Sequence, residues 1–302
     1  MTVVTDLATP AVAVAEPTPM WRQRARIFFS NKLATVSVIF LLVIIFGCYV
    51  VPLFYSTNQS NAALALMTPF NQAPSAAHWL GTDSSGYDEL GRIFYGGGYS
   101  LTLGILAGFI TIVVGTLYGM ISGFFGGFTD TVMMRVLDAF LSIPYLFFLI
   151  TLVSIFGRST TFLIVVIGLT GWWGNARIIR GDAMLIRGLE YSQASKAMGG
   201  SKWHIIRRHV FPNSISNIVT VATFSVADAI LFLSALGFLG LGIKLPETDW
   251  GTMLQSGTTA LQSANYWWEV YPLAIVFILV VVAINYIGDA LRDAFEVRLV
   301  ER

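Results

Sequence analysis

Long uncharged apolar runs alternate with short polar stretches along most of the chain. The first run, 33–54, carries no charge and exceeds the roughly 20 residues that cross a hydrocarbon core of about 30 Å. Runs at 101–122, 132–156, 161–173, 215–243 and 271–286 follow, the fourth being the shortest. The pattern predicts an all-α membrane protein with six transmembrane helices. It divides the chain into an N-terminal tail (1–32), a first helix (33–54), a segment on the opposite side (55–100), a five-helix core (101–288) and a C-terminal tail (289–302).

Composition agrees and narrows the class. Hydrophobic residues make up 55% and charged residues 12%, with a mean hydropathy of +0.71, against roughly 25% charge in soluble domains. A water-soluble enzyme is excluded. The net charge of +1 balances 18 basic against 17 acidic residues, so no basic excess points to nucleic acid. The single cysteine, Cys48, sits in an apolar run as a packing residue and says nothing of redox compartment. Residues 1–19 lack periodicity and hold no basic residue before Arg22, so they read as a disordered tail rather than the start of a signal peptide. Ala63-Leu64-Ala65 offers a small-residue cleavage site, but the first apolar run is too long and its basic lead too late for a cleaved signal.

The few charges orient the chain. With a cytoplasmic N-terminus, Arg22, Arg24, Arg26, Lys32, Arg135, Arg177, Arg180, Arg187, Lys196, Lys202, Arg207, Arg208, Arg292, Arg298 and Arg302 fall inside, and only Arg92, Arg158 and Lys244 outside. The positive-inside rule then puts both termini in the cytoplasm.

Glycines at 104 and 108, and at 115, 119, 123 and 127, recur four apart on the second helix. Small residues at this spacing let a second helix backbone approach closely. The cytoplasmic stretch 177–212 is too long for a plain connection and reads as two short helices. Tyr191, Ala194 and Met198 form an apolar stripe, with Ser192, Gln193, Ser195 and Lys196 facing elsewhere; Gly199-Gly200 ends the first helix, Ser201 caps the second, Trp203, Ile206 and Val210 repeat the stripe, and Pro212 stops it. A hairpin with an apolar ridge and a cationic flank is suited to docking into a partner; a solvated hairpin lying on lipid headgroups is the competing reading.

Gln193-Ala194-Ser195, then Gly199, then His209-Val210-Phe211-Pro212, resembles the EAA signature of permease subunits of ABC importers, with Gln193, Ser195 and Phe211 standing where Glu, Ala and Leu are usual. The run Arg208 to Asn213 is similar to the dipeptide, oligopeptide and nickel subfamily, as are Leu80-Gly81-Thr82-Asp83 with Gly86, Asp88 and Arg92, the Phe238–Gly242 segment, and Gly288-Asp289. The resemblance implies a type I importer permease fold in a bacterial cytoplasmic membrane. It further implies a homologous second permease, two ATPase subunits that carry ATP and Mg, a solute-binding protein outside, and peptides, nickel or another small solute as cargo. It places ATPase coupling on Glu190, Gln193, Ala194, Ser195, Lys196, Gly199, Trp203, Arg208 and Pro212.

No phosphate-binding Gly-x-x-x-x-Gly-Lys-Ser/Thr loop occurs, so the chain is expected to bind no cofactor itself and to draw its energy from another subunit. His78, His204 and His209 fall on opposite sides of the membrane in this topology and predict no metal site. No His-Glu-x-x-His or Gly-x-Ser-x-Gly motif marks an intramembrane enzyme, and no internal repeat marks a secondary transporter. Asp138 reads as a solvated or Arg135-paired residue near a helix start. Asp228 lies deep in the fifth helix, where a charge is expected to face protein or water; it either lines the substrate path or bonds structurally to the partner permease. Trp172-Trp173 and Trp267-Trp268 read as interfacial belts, and the 244–268 loop with Asp249 and Trp250 as either a binding-protein contact or a folded cap.

Overall fold

The computed structural model describes residues 19–55 and 57–296, so all but the last residue of the stretch 1–19 expected to be disordered, together with Arg298 and Arg302, lies outside the described residues. Helix α1 (Met20–Ser30) ends at Asn31, whose side chain then caps α2 (Lys32–Phe54) by accepting the backbone N–H groups of Leu33 and Ala34 at 3.1 and 3.2 Å. A short α3 (Ala62–Met67) precedes α4 (Glu89–Phe125). Next come α5 (Gly127–Leu141), α6 (Tyr145–Phe156), α7 (Thr160–Thr170) and α8 (Trp173–Gly188). The hairpin helices α9 (Glu190–Ala197) and α10 (Lys202–Ile205) lead through a π-helical turn (Ile206–Val210) into α11 (Phe211–Phe238). The chain closes with α12 (Trp250–Ala264), a 3₁₀ turn (Trp267–Glu269) and α13 (Tyr271–Glu296). Among the described residues five helical segments are long and apolar enough to cross a membrane, and six if the bent pair α5–α6 makes one span.

Several elements differ from the sequence expectation, each for a local reason. Helix α4 starts at Glu89 rather than 101, and its 37 residues extend about 55 Å, well past a hydrocarbon core. Its first turns are polar: Asp88 accepts the Gly91 N–H at 2.7 Å and Arg92 donates to the carbonyls of Gln59 and Pro246 at 3.0 and 2.7 Å, while the buried Glu89 Oε1 and Arg92 Nε have no hydrogen-bond partner among the described residues. The expected third span breaks at 142–144 with an 80° bend, where Pro144 starts α6. The fourth continues as helix α8 through residues expected to lie in a loop.

Pro212 does not end the hairpin. It sits in the first turn of α11, where its missing N–H is no loss, and the preceding π turn carries the helix through, Phe211 N–H reaching back to Ile206. Trp172, Trp173 and Trp268 are buried in the packing, so the interfacial-belt reading fits only Trp267, which is 45% exposed.

Helix α4 is the axis of the bundle. Gly104 and Gly108 lie against Ile230 and Val226 of α11, whereas Gly115, Gly119 and Gly123 lie against α8. A Cβ at Gly119 would strike the carbonyl oxygen of Ala176, and one at Gly123 that of Arg180. The partner helices are thus within this chain. Gly127 is off this face: it begins α5 and nothing lies near its missing side chain.

Around that axis, Leu103 and Ala107 pack with Leu163 and Ile167 of α7 and Leu233 and Leu236 of α11. Ile93 and Leu101 pack with Ile230, Trp250 and Leu273. Helix α2 instead presents Val36, Ile39, Val43 and Phe46 outward, as a lipid-facing helix does.

Candidate functional site

The hairpin at one end of α4 is short and firmly seated. Leu189 is extended and α9 begins directly after it; Gln193 ties the corner by donating to the Arg187 carbonyl at 2.9 Å. Gly199 then turns the chain with φ +85°, a left-handed value that costs a Cβ-bearing residue about 1–2 kcal/mol. Ser201 caps α10 by accepting the His204 N–H at 3.2 Å. The two polar serines of α9 point inward, Ser192 and Ser195 being buried, while Tyr191, Ala194 and Met198 face outward, Met198 being 82% exposed.

In the second arm the stripe divides. Ile205, Ile206 and Val210 plug into a core with Met120, Phe124, Ile179 and Ile186, whereas Trp203 remains exposed and meets Phe125 edge-on. Glu190, Gln193, Lys196 and Arg208 are exposed, as is Pro212. An outward apolar stripe with charged flanks is thereby mounted on three buried anchors that pack against residues of α4, α8 and α11.

The opposite end of α4 is knitted by charge. His78 Nδ1 meets Asp88 Oδ2 at 2.7 Å, Arg92 lies 4.2 Å from the Tyr87 ring centroid, and Trp268 Nε1 donates to the Thr82 carbonyl at 3.3 Å. Burial pushes the Asp83 carboxyl above its ordinary value, against the backbone N–H groups of Tyr87 and Ser85, each donating to it at 2.8 Å. Asp249 caps α12 by accepting the Thr252 N–H at 3.0 Å, and Trp250 is fully buried with its Nε1 on the Ile93 carbonyl. Within the 244–268 stretch α12 is therefore packed at its start, where buried Asp249 and Trp250 hold it down, while Leu245 is 67% exposed.

Between these ends a cavity of about 150 Å³ opens in the bundle, lined by Tyr145, Thr170, Asn175, Ser225, Asp228 and Phe232 among others. Asn175 donates to Ser225 at 2.7 Å and Thr170 to Tyr145 at 3.2 Å, while the Asp228 side chain is exposed and engages in none of the ion pairs of the described residues. Asp138 is paired across helices with Arg177 at 2.6 Å rather than with Arg135.

A family model described as binding-protein-dependent transport system inner membrane component matches residues 115–301. This chain belongs to that family. A second model, the N-terminal TM domain of oligopeptide transport permease C, matches residues 19–74. The permease is 38% identical over 279 residues to the oligopeptide transport system permease protein OppC of Haemophilus influenzae, covering 92% of this chain and 88% of that one. It is 37% identical over 290 residues to the dipeptide transport system permease protein DppC of Bacillus subtilis, covering 96% and 89%. With OppC of B. subtilis it shares 33% over 280 residues, covering 93% and 90%.

Two polar links of this permease escaped the sequence reading. Arg180 grips Asp130 of α5 through two bonds of 2.6 Å, and Asn217 of α11 donates to both oxygens of Asp182 in α8 at 2.8 Å. The available signal was an acidic residue inside or beside each apolar run, which demands a partner.

Proposed function

We propose that this permease is one of two homologous membrane subunits of an ATP-driven importer of di- or oligopeptides and forms half of the translocation path. ATP and Mg belong to two partner ATPases, and this chain holds no cofactor of its own. The termini and the hairpin lie in the cytoplasm, and the Asp83–Arg92 end faces an extracytoplasmic solute-binding protein. The observation that carries the reading is the hairpin: an exposed Tyr191–Ala194–Met198 stripe seated on buried Ile205, Ile206 and Val210.

In this mechanism an ATPase cleft holds the stripe, with Glu190, Lys196 and Arg208 at its rim. Closure of the two ATPases moves the hairpins as rigid handles, and the buried anchors rock α4, α8 and α11 around the bundle axis. Gly199 keeps the handle tight and Trp203 braces it on Phe125. The cavity at Asp228 lies on the cargo path, where a carboxylate in water or facing cargo avoids the cost of lipid exposure. Cargo selection rests mainly with the binding protein; the names of the relatives favour peptides over nickel.

Co-purification tests the docking. Ala194→Glu places a charge on the outward stripe without touching the anchors, so the membrane subunits are expected to assemble while the ATPases are lost. Retention of the ATPases at the wild-type ratio would remove the hairpin as their seat.

A further inference from the structure

Helix α3 is turned inside out for a helix in water. It buries Ala65 and presents Leu64, Leu66 and Met67 outward, the last two 73 and 83% exposed. Its orientation is held from two sides. Ala65 lies so close to Gly86 that a Cβ on that glycine would strike its carbonyl oxygen, and Asn58 donates to the Thr68 hydroxyl at 2.9 Å. Phe70 and Trp79 in the loop that follows are exposed as well. Apolar area left in water carries a cost that grows with its size, so five large side chains exposed in one short segment point to a cover.

Two observations say what the cover is. The first is continuity with the lipid-facing surface of α2. That surface runs to the helix end at exposed Leu53 and Phe54, where Phe46, Val50, Phe54 and Tyr55 line an apolar groove. The Tyr55 ring lies 6.4 Å from that of Trp79, and Asn58, three residues on, carries the bond to Thr68. Trp79 and the end of α3 are thereby held near the level where α2 leaves the hydrocarbon, the depth at which Trp and Tyr concentrate. The second is charge. From Leu33 to Thr82 the sequence holds no Asp, Glu, Lys or Arg, and His78 is turned onto Asp88. A docking face for a soluble protein has a polar rim, and it stands in water whenever the partner leaves. An uncharged segment with its large apolar residues outward suits a bilayer instead.

We propose that the Leu64–Phe70 segment and Trp79 lie on lipid, at the boundary between headgroups and acyl chains of the leaflet where α2 ends. Their side chains enter that boundary to a depth of about 5–10 Å, as the apolar faces of interfacial segments do. Gly86, on which Ala65 rests, precedes the α4 cap Asp88 by two residues, so the segment ties the start of the central helix to the membrane surface. Contact with the bilayer here follows from α2 being a span. It depends neither on which side is cytoplasmic nor on the docking of ATPases.

The test uses the full complex in vesicles of phosphatidylethanolamine and phosphatidylglycerol. Leu66→Cys and Met67→Cys, each combined with Cys48→Ala, carry a nitroxide, with Cys48→Ala alone as the blank. Collision rates are measured with oxygen, which concentrates in lipid, and with a water-soluble nickel chelate. Lys244→Cys, at an exposed position near the Pro246 carbonyl that meets Arg92, serves as the water reference. The oxygen-to-nickel ratio is expected to be several-fold higher at 66 and 67 than at 244, and unchanged when the purified solute-binding protein is added. A ratio equal to that at 244 places the segment in water and overturns the proposal. Nickel access that falls only when the binding protein is added assigns the patch to that protein, and low collision with both reagents assigns it to a protein neighbour such as the second permease; either result overturns the proposal too. Should the labelled variants fail to assemble, Trp79→Phe decides. The fraction of tryptophan fluorescence quenched by lipids brominated near the headgroup is expected to fall in that variant, and an unchanged fraction removes the lipid contact.

Discussion

Arg180 and Asp130 face each other in a fork, Nε to Oδ1 and Nη2 to Oδ2 both at 2.6 Å, and bind α8 to α5 at the hairpin end of the bundle. Ser122 of α4 also donates to this carboxylate, so three helices meet on one acid. A planar guanidinium suits this geometry and an ammonium does not. Arg180→Lys is therefore expected to destabilise the chain by about 1–2 kcal/mol and Arg180→Gln by more, since the latter leaves a half-buried acid with the Ser122 hydroxyl but without its cation. Thermal melting in detergent measures both, and equal stability of the lysine variant would show that charge alone suffices.

The glycine face of α4 makes a size prediction. Gly119→Leu drives a side chain into the α8 backbone and is expected to cost at least about 2 kcal/mol and to abolish uptake. Gly174→Ala, on the same α8, meets nothing within 4 Å and is expected to fold and transport normally. Similar detergent stability for the two variants would refute the close-packing account.

Gly199 separates hairpin rigidity from docking. Gly199→Ala strains the φ +85° turn by about 1–2 kcal/mol without adding bulk to the stripe. The ATPases are expected to remain bound, while peptide uptake per ATP hydrolysed in reconstituted vesicles falls. An unchanged ratio would show that the turn does not transmit motion.

Asp228 is tested by charge alone. Asp228→Asn preserves shape and is expected to leave assembly intact while lowering uptake of peptides with a free amino terminus more than that of blocked ones. Identical uptake of both would leave Asp228 no role in charge recognition.

Asp83 gives a pH prediction with a definite sign. A carboxyl whose value is raised in the fold binds its proton more tightly folded than unfolded. Its contribution to stability is thus present below the unfolded value of about 4 and is lost as pH rises through the raised folded value. Asp83→Asn keeps the oxygen that accepts from Ser85 and Tyr87 and removes the titration. Its melting temperature is expected to fall less steeply than that of wild type as pH rises from about 4; parallel curves would contradict the burial effect.

Much of this was legible before any coordinates. Apolar runs longer than a bilayer is thick announce helices, because no soluble core requires twenty uncharged residues in a row. The turn at Gly199, the Ser201 cap and the four-residue glycine spacing were legible too, since each is a local rule of backbone geometry. Pro212 and the Ser142–Pro144 break show the limit. A proline states that a hydrogen bond is missing but not whether the helix stops, bends by 80°, or slips through a π turn.

The sequence by itself determined the class, the membrane setting, the helix-forming runs and the hairpin, all of which follow from hydrophobicity and spacing along one chain. Only the tertiary structure decided that the glycine face meets α8 and α11, that Asp130 and Asp182 belong to Arg180 and Asn217, and that the hairpin's serines turn inward while Tyr191 and Met198 turn out. Those pairings join residues far apart in sequence. They depend on which helix faces which, a matter of mutual packing that no local pattern carries.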